Sequence, residues 1–438
     1  MLFVVFAEHI GEGMMLCKYC NSFIADGSSS CHKCGRAIKE TGSGFISMVS
    51  DSKSGNIPEI NIGIIGYGFM GKAHSIGYRK MPYIFWPPPA IPKLLKICGR
   101  NEEKVAEEAK RYGYLEYCTD WKDIIEDDRI NIVVNLTPHN MHAEICIEAA
   151  NKGKNVVCEK PLAVNAREAK DMLKAVKKSG VKHLCNFNYR MMPSLTLAKE
   201  LIKEGKLGKI YHFRAVYLQE WLVDPDFPLT WAVKKDQSGS GAIGGIGSHI
   251  IDIARWLCGE PKSVMSIAKT FIKERPLPDA PEKKGMVDVD DAFASTVEFE
   301  NGAIGTLEAS RFCLGRKNGQ RVEVNGELGS LYFDLEDLNY LYVYFKDEVL
   351  KDTIGFHKIN VSEQEHPYYN NWWPHGHIIG WGDTFVHTAY NMIDSVINGN
   401  SLEPMTATFE DGYRNTVVCD AVLKSSETGR KQQIIYEK

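Results

Sequence analysis

The stretch INIGIIGYGFMGKAH, residues 60–74, decides how the rest of the chain is read. A short apolar run, INIGII, has the length of a buried strand, and glycines follow at Gly66, Gly68 and Gly71. A helix is expected from about Phe69. In a strand-to-helix turn of this spacing the first glycine permits the tight turn, the second lets a pyrophosphate approach the backbone, and the third lets helix and strand pack closely. The diphosphate then rests on the free N–H groups of the helix start, which places Phe69 and Met70 beside it. The competing reading is a glycine turn that holds nothing, so the surroundings decide.

They favour the cradle. From Ile60 to about Asn186, apolar runs (KLLKIC, NIVVNLTP, NVVCEKP, HLCNFN) alternate with amphipathic ones (NEEKVAEEAKRYG, NMHAEICIEAANKG, NAREAKDMLKAVKKSG). Nearly all-apolar strands separated by helices predict a doubly wound parallel sheet covered on both faces. Its second strand ends ICGRNEE, where an acid usually holds the adenosine ribose. Gly99 stands there instead, followed by Arg100. Arg100 suits either a 2′-phosphate or stacking on adenine, and Glu102 is close by, so NAD and NADP both stay open. After Asn186 the alternation stops and strand-like segments accumulate. An α/β domain with a large, open, mainly antiparallel sheet is expected, closed by a helix in GDTFVHTAYNMIDSVINGN.

At 438 residues the chain exceeds one ordinary core. The expected division is 1–16 a tail or mis-called start (Met14 or Met15 beginning the protein), 17–38 a zinc ribbon, 39–57 a flexible linker, 58–186 the dinucleotide domain, and 187–438 a substrate and oligomerisation domain. A net charge of −4 gives no bulk attraction to nucleic acid or anionic lipid, and no apolar run reaches bilayer length. Eight of the twelve cysteines are scattered, as in a reducing cytoplasm. The other four, Cys17, Cys20, Cys31 and Cys34, form two Cys-x2-Cys knuckles ten residues apart. Four thiolates make a closed tetrahedral site for structural Zn2+, and the metal would supply the folding energy of so small a segment. His32 is expected to be exposed, and the ribbon's partner is not readable.

Three motifs then combine: Gly66-Tyr67-Gly68-Phe69-Met70-Gly71, Thr137-Pro138 with His142, and Glu159-Lys160-Pro161. Together they resemble the Gfo/Idh/MocA oxidoreductase family, from about residue 60 to the end. The resemblance implies a Rossmann domain joined to an open-sheet domain, NAD or NADP as cofactor, and hydride transfer between hydroxyl and carbonyl groups of sugars, inositols and related polyols. It adds Thr137, Pro138, His142 and Glu159 to the cofactor-binding group. Lys160 is expected on independent grounds as well, since it ends a predicted parallel strand, where open α/β sheets place ligands. A lysine beside the substrate oxygen stabilises an alkoxide or relays its proton.

In GAIGGIGSHIIDIARWL the resemblance assigns general acid/base chemistry to His249. Asp252, three residues on and on the same helical face, is grouped with the substrate site as its support. The chain departs from the family where many relatives carry an Asp four residues before that histidine; here Gly245 stands. That departure keeps two alternatives open, a redox-neutral enzyme with tightly held NAD and a cofactor-binding sensor or scaffold. Aromatic residues interleaved with polar ones in YLQEWLVDPDFPLTW and HPYYNNWWPHGHIIGW suit a sugar, whose C–H faces and hydroxyls need both. With NFNYR they resemble a levoglucosan- and inositol-dehydrogenase-like branch, which implies substrate contacts from Tyr189, Arg190, Gln219, Trp221 and His377. A small sugar-like substrate and homo-oligomerisation through the C-terminal sheet complete the expectation.

Overall fold

The structure is a computed structural model that describes residues 14–16, 23–25, 57–347 and 351–437. It divides into two units, residues 1–56 and 57–438. In the first, Met14–Leu16 pairs antiparallel with Phe23–Ala25. The linker expectation and Cys17, Cys20, Cys31 and Cys34 lie outside the described residues.

The second unit begins with six parallel strands: β1 (Glu59–Ile65), β2 (Ile91–Cys98), β3 (Glu116–Cys118), β4 (Ile132–Asn135), β5 (Asn155–Cys158) and β6 (His183–Cys185). Their order across the sheet is β3-β2-β1-β4-β5-β6. Strands β4 and β5 are buried on both faces almost throughout, which is why they read as unbroken apolar runs. Helices α1 (Phe69–Ile84), α2 (Glu102–Tyr112), α3 (His142–Asn151) and α4 (Ala166–Ser179) connect them. Asn101 and Asn165 cap α2 and α4, and Gly113 and Gly180 end them in the left-handed conformation. The strand order reverses between β1 and β4, where Leu136 N donates to Ile65 O at 2.9 Å. Ligands settle at the carboxyl ends of such a switch point.

Helix α5 (Pro193–Lys203) leads into the second sheet, whose strands are β7 (Ile210–Leu218), β8 (Pro261–Lys269), β11 (Ala292–Phe299), β12 (Ile304–Ser310), β13 (Gly319–Gly326), β14 (Gly329–Asp334), β15 (Tyr340–Phe345), β16 (His357–Asn360) and β17 (Gln432–Gln433). Between β8 and β11 a separate two-stranded ribbon forms from β9 (Glu274–Leu277) and β10 (Ala280–Met286). The nine-stranded order is β16-β15-β14-β13-β7-β12-β11-β8-β17. The sheet is mixed, because β7 and β12 at its centre run parallel while the other neighbours are antiparallel. Helix α6 (Ser248–Cys258) and helix α8 (Phe409–Thr428) share its inner core through Ile250, Ala254, Val418 and Val422.

The expected division at residue 187 does not separate the packing. Helix α7 (Thr384–Asn398) lies on α1, and Val386, Ala389 and Met392 join Ile62, Tyr78 and Met81 in one core. Phe409 and Tyr413 likewise pack with Leu173 and Val176 of α4. Helical periodicity shows which face is buried but not which sheet will bury it. Among the described residues no helix is long and apolar enough to cross a membrane.

Candidate active site

Two glycines of the turn answer steric demands, and the third borders open space. Gly66 has φ +110, and a Cβ there would stand 2.9 Å from Leu136 O. A Cβ on Gly71 would stand 2.6 Å from Gly66 O. Gly68, the N-cap of α1, has no side-chain cap, and a Cβ on it would meet nothing within 4 Å. The free N–H groups of the first helical turn thus sit beside open space with no acidic side chain in that turn, which fits a dinucleotide pyrophosphate. Gly71→Ala is expected to weaken NADH binding by roughly tenfold or more, because the 2.6 Å clash shifts the donors of this turn; fluorescence titration with NADH measures it. At the second strand, a side chain on Gly99 would overlap the Tyr67 ring, so an acid has no room there, and Arg100 is exposed.

Strand β5 delivers Glu159 and Lys160. Glu159 is buried; its Oε1 accepts from Asn186 Nδ2 at 2.6 Å and faces His74 Nε2 at 2.9 Å, and its Oε2 accepts from Lys160 N at 3.2 Å. Burial alone would raise the Glu159 pKa, but the His74 contact, the Lys160 charge and the Asn186 bond together lower it. Lys160 Nζ donates to Gly245 O at 3.0 Å. Desolvation pulls the Lys160 pKa down, and nearby Glu159 opposes it only in part.

Opposite Lys160, residues Ile243–Gly247 form a π-helical turn that runs into α6 and carries His249. The His249 ring is buried among Tyr189, Tyr217 and Phe187, with centroids at 4.6, 5.9 and 6.1 Å. Its Nδ1 is buried without a partner. Desolvation, then the charge of Lys160, hold the His249 pKa well below the ordinary histidine range, so the ring is neutral near pH 7.

Lys160, His249 and Gly245 line one cavity of about 760 Å3, together with Phe69, Met70, Thr137, Glu159, Tyr189, Gln219 and Trp221. One wall is a hydrogen-bond relay. Tyr189 and Tyr217 hydroxyls lie 2.7 Å apart, Tyr217 and Gln219 both donate to Asn318 Oδ1 at 2.7 and 2.6 Å, and Trp221 Nε1 donates to Gln219 Oε1 at 2.9 Å. At the cradle end, Phe69 stacks on Trp381 at 5.4 Å. Sequence reasoning missed His139, Asn188, Arg311, Lys317 and Asn318, which also line the cavity. His139 Nδ1 lies 3.1 Å from Ser238 O, and its ring meets Trp231 edge-on at 4.8 Å. For Lys317 and Asn318 the available signal was the polar turn GRKNG between β12 and β13, and for Asn188 it was the NFNYR stretch.

Four expected site residues stand elsewhere. Arg190 is buried in a fork on Asp252, with Nε and Nη2 2.7 and 2.6 Å from its two oxygens, and Nη2 reaches Asp411 at 2.9 Å. With each other's charge to satisfy, neither Arg190 nor Asp252 faces the cavity, and Asp252 supports Arg190 rather than His249. His142 is fully buried: Nδ1 lies 3.0 Å from Pro161 O and Nε2 2.9 Å from Thr137 O. It ties together the loops after β4 and β5 from behind and leaves no ring nitrogen for a cofactor. His377 is on an exposed loop, with Nδ1 2.9 Å from Pro374 O, outside the cavity lining. Pro138 precedes the short helical turn at His139–Met141 and shapes the loop beside Thr137.

A glycine cradle at the switch point of a parallel sheet, opening onto a cavity where Lys160 faces the neutral His249, defines a dinucleotide-dependent oxidoreductase. Residues 60–187 match the family described as "Oxidoreductase family, NAD-binding Rossmann fold", and residues 195–332 match "GFO/IDH/MocA C-terminal domain". The chain is 41% identical over 379 residues to levoglucosan dehydrogenase of Pseudarthrobacter phenanthrenivorans, covering 84% of this chain and 96% of that protein. It is 27% identical over 325 residues to myo-inositol 2-dehydrogenase of Thermotoga maritima, covering 70% and 90%. Among solved structures it is similar to levoglucosan dehydrogenase in complex with NADH and levoglucosan, with TM-score 0.82, 41% identity, and coverage of 86% of this chain and 100% of that one. The chain belongs to the Gfo/Idh/MocA family of oxidoreductases, and its first domain is of the NAD-binding Rossmann type.

Proposed function

We propose that the protein is an NAD-dependent dehydrogenase that interconverts a hydroxyl and a carbonyl on a sugar, anhydrosugar or inositol-like polyol. The observation that carries this reading is the meeting of Lys160 and His249 in one cavity that opens at Phe69 and Met70 onto the glycine cradle. Gly66, Gly68, Phe69, Met70 and Gly71 would hold the pyrophosphate end, with Thr137, Glu159 and Lys160 toward the reacting end. NAD bound there supplies the hydride acceptor, so that CH–OH becomes C=O with release of one proton.

The chain's own residues manage that proton. Lys160 Nζ steadies the substrate oxygen as it gains negative charge. His249 is neutral, and its Nε2 is the ring nitrogen left to take the hydroxyl proton, since Nδ1 is sealed in the core. The Tyr189–Tyr217–Asn318–Gln219 relay and the Trp221 and Trp231 rings offer hydroxyl partners and apolar faces to a sugar ring. Levoglucosan dehydrogenase and myo-inositol 2-dehydrogenase among the relatives support a polyhydroxylated substrate. The test is a panel of sugars, anhydrosugars and inositols with NAD and with NADP, read by nicotinamide absorbance. Net reduced cofactor is expected with NAD. Product without net reduction would replace this reading with a redox-neutral one, and NADH binding with no turnover would replace it with a sensor.

The same reading has three further parts. Cys17, Cys20, Cys31 and Cys34 are proposed to hold one structural Zn2+; the strands Met14–Leu16 and Phe23–Ala25, which bracket the first knuckle, support this. Metal analysis of freshly reduced protein tests it, and absence of zinc would refute it. Self-association is proposed through the outer face of the nine-stranded sheet, which exposes Met265, Ile267 and Ile304, and sedimentation measures it. A reducing, cytoplasmic location is proposed on the eight free thiols of the described residues.

A further inference from the structure

Glycines crowd the segment that carries His249, and most of them answer a steric demand. A Cβ on Gly241 would overlap Asp290 O, one on Gly244 would stand 2.7 Å from Ser240 Oγ, and one on Gly247 would stand 2.5 Å from a Phe293 ring carbon. Gly245 is different. A Cβ there would meet nothing within 4 Å, and the residue carries no positive φ that would call for glycine. It lines the cavity, so the missing side chain leaves room in the cavity itself.

That room adjoins an unbalanced charge. Four charged side chains line the cavity: Glu159, Lys160, Arg311 and Lys317. Glu159 is occupied by His74, Asn186 and the Lys160 N–H. Arg311 spends its two terminal nitrogens on Ala232 O, Asp290 O and Asp291. Lys317 pairs with Glu220. Lys160 makes no ion pair with a carboxylate among the described residues, and its hydrogen-bond acceptor is the carbonyl of Gly245 itself. An ammonium has three N–H donors. One is taken, one suffices for the reacting oxygen, and one remains, free to make a charge-assisted bond to a full negative charge.

We propose that the substrate is a sugar acid whose carboxylate sits in the room left by Gly245 and accepts a hydrogen bond from Lys160 Nζ. The proposal rests on the dehydrogenase reading and narrows it: the oxidised centre is still a CH–OH group, and the added feature is an anionic substituent near it. Gly245 is then the specificity-determining position, since any longer side chain there would occupy the carboxylate's place.

The experiment compares kcat/KM with NAD for neutral and acidic partners of the same carbon skeleton, D-glucose against D-gluconate and D-glucuronate, with levoglucosan as a neutral anhydrosugar. The acid is expected to lead its neutral partner by roughly tenfold or more, as one charge-assisted bond implies. Gly245→Asp places a carboxylate of the protein against Lys160 and is expected to remove most of that preference and to slow the acids by about a hundredfold. Gly245→Asn fills the same room without the charge, and the acids are expected to suffer less from it than from the Asp variant. NADH affinity, measured by fluorescence, is expected to stay at the wild-type value in both variants and reports that they are folded. Wild-type enzyme that oxidises only neutral sugars, or an acid preference that survives Gly245→Asp, overturns the proposal and leaves the dehydrogenase reading intact. Folded, NADH-binding enzyme that turns over neither series overturns the reading and the proposal with it.

Discussion

Lys160→Met will lower kcat by about a thousandfold while NADH affinity stays within a factor of two or three of wild type. The reason is positional. Lys160 leaves the carboxyl end of β5 into the cavity, whereas the glycine donors that hold the pyrophosphate belong to the start of α1, so the substitution removes a charge at the reacting oxygen and leaves the cradle alone. Methionine fills nearly the same length, so the loss reports charge rather than a void. The pH profile separates this from a merely structural effect. Above the Lys160 pKa, which desolvation has lowered, the ammonium is lost and alcohol oxidation slows; below the His249 pKa, also lowered by desolvation, the imidazole is already protonated and cannot accept the hydroxyl proton. A bell is therefore expected, with its acid limb below the ordinary histidine range and its alkaline limb below the ordinary lysine range. Lys160→Met should abolish the alkaline limb and keep the acid one. Turnover within threefold of wild type, or an alkaline limb that persists, would remove Lys160 from the chemistry.

How much of this was legible beforehand differs residue by residue. Gly66, Gly68 and Gly71 were readable because their spacing, directly after an apolar strand and before a helix, is itself the pattern of the turn. Lys160 was readable because a strand end in a parallel sheet is a place as well as a spacing. His142 was not, because a histidine that ties two loops together and one that meets a cofactor look alike until the carbonyls of Thr137 and Pro161 are in place. Asn318, Lys317 and Arg311 come from beyond the end of β12, and it is the pairing of β7 with both β12 and β13 that brings this turn to the site and sets Asn318 against Tyr189 and Gln219. Helix α7 carried a clear apolar stripe, yet nothing local said that Phe385 would press against Gly77 of α1, where a Cβ would stand 2.7 Å from the Phe385 carbonyl oxygen. The polar wall of the site and the closing of the first sheet both depend on contacts between segments far apart in the chain, which periodicity does not encode.

Arg190 gives the other large effect, and it is one of stability. NFNYR places an arginine beside Tyr189, a cavity residue, and an arginine near a sugar site invites a substrate role. The structure puts it in the core instead, over the Trp256 ring at 5.4 Å and forked onto Asp252, with Asp411 beside it. Both Arg190 and Asp252 are about as buried as any side chain in the molecule, at 2% and 1% exposure. Arg190→Met removes the cation and leaves Asp252 without its partner, while Asp411 keeps the Thr408 N–H at 3.0 Å and the more distant Arg255 at 3.7 Å. Stranding a buried carboxylate in this way costs on the order of 3–5 kcal/mol. Chemical denaturation should show the midpoint fall accordingly with an unchanged slope, and KM for the sugar measured on the fraction that folds should stay at the wild-type value. Arg190→Met with Asp252→Asn should recover part of the loss, because the stranded charge goes with the second substitution. A raised KM at unchanged stability would return Arg190 to the substrate; a lowered midpoint with unchanged KM assigns it to holding α6 and the start of α8 in place, and through α6 the position of His249.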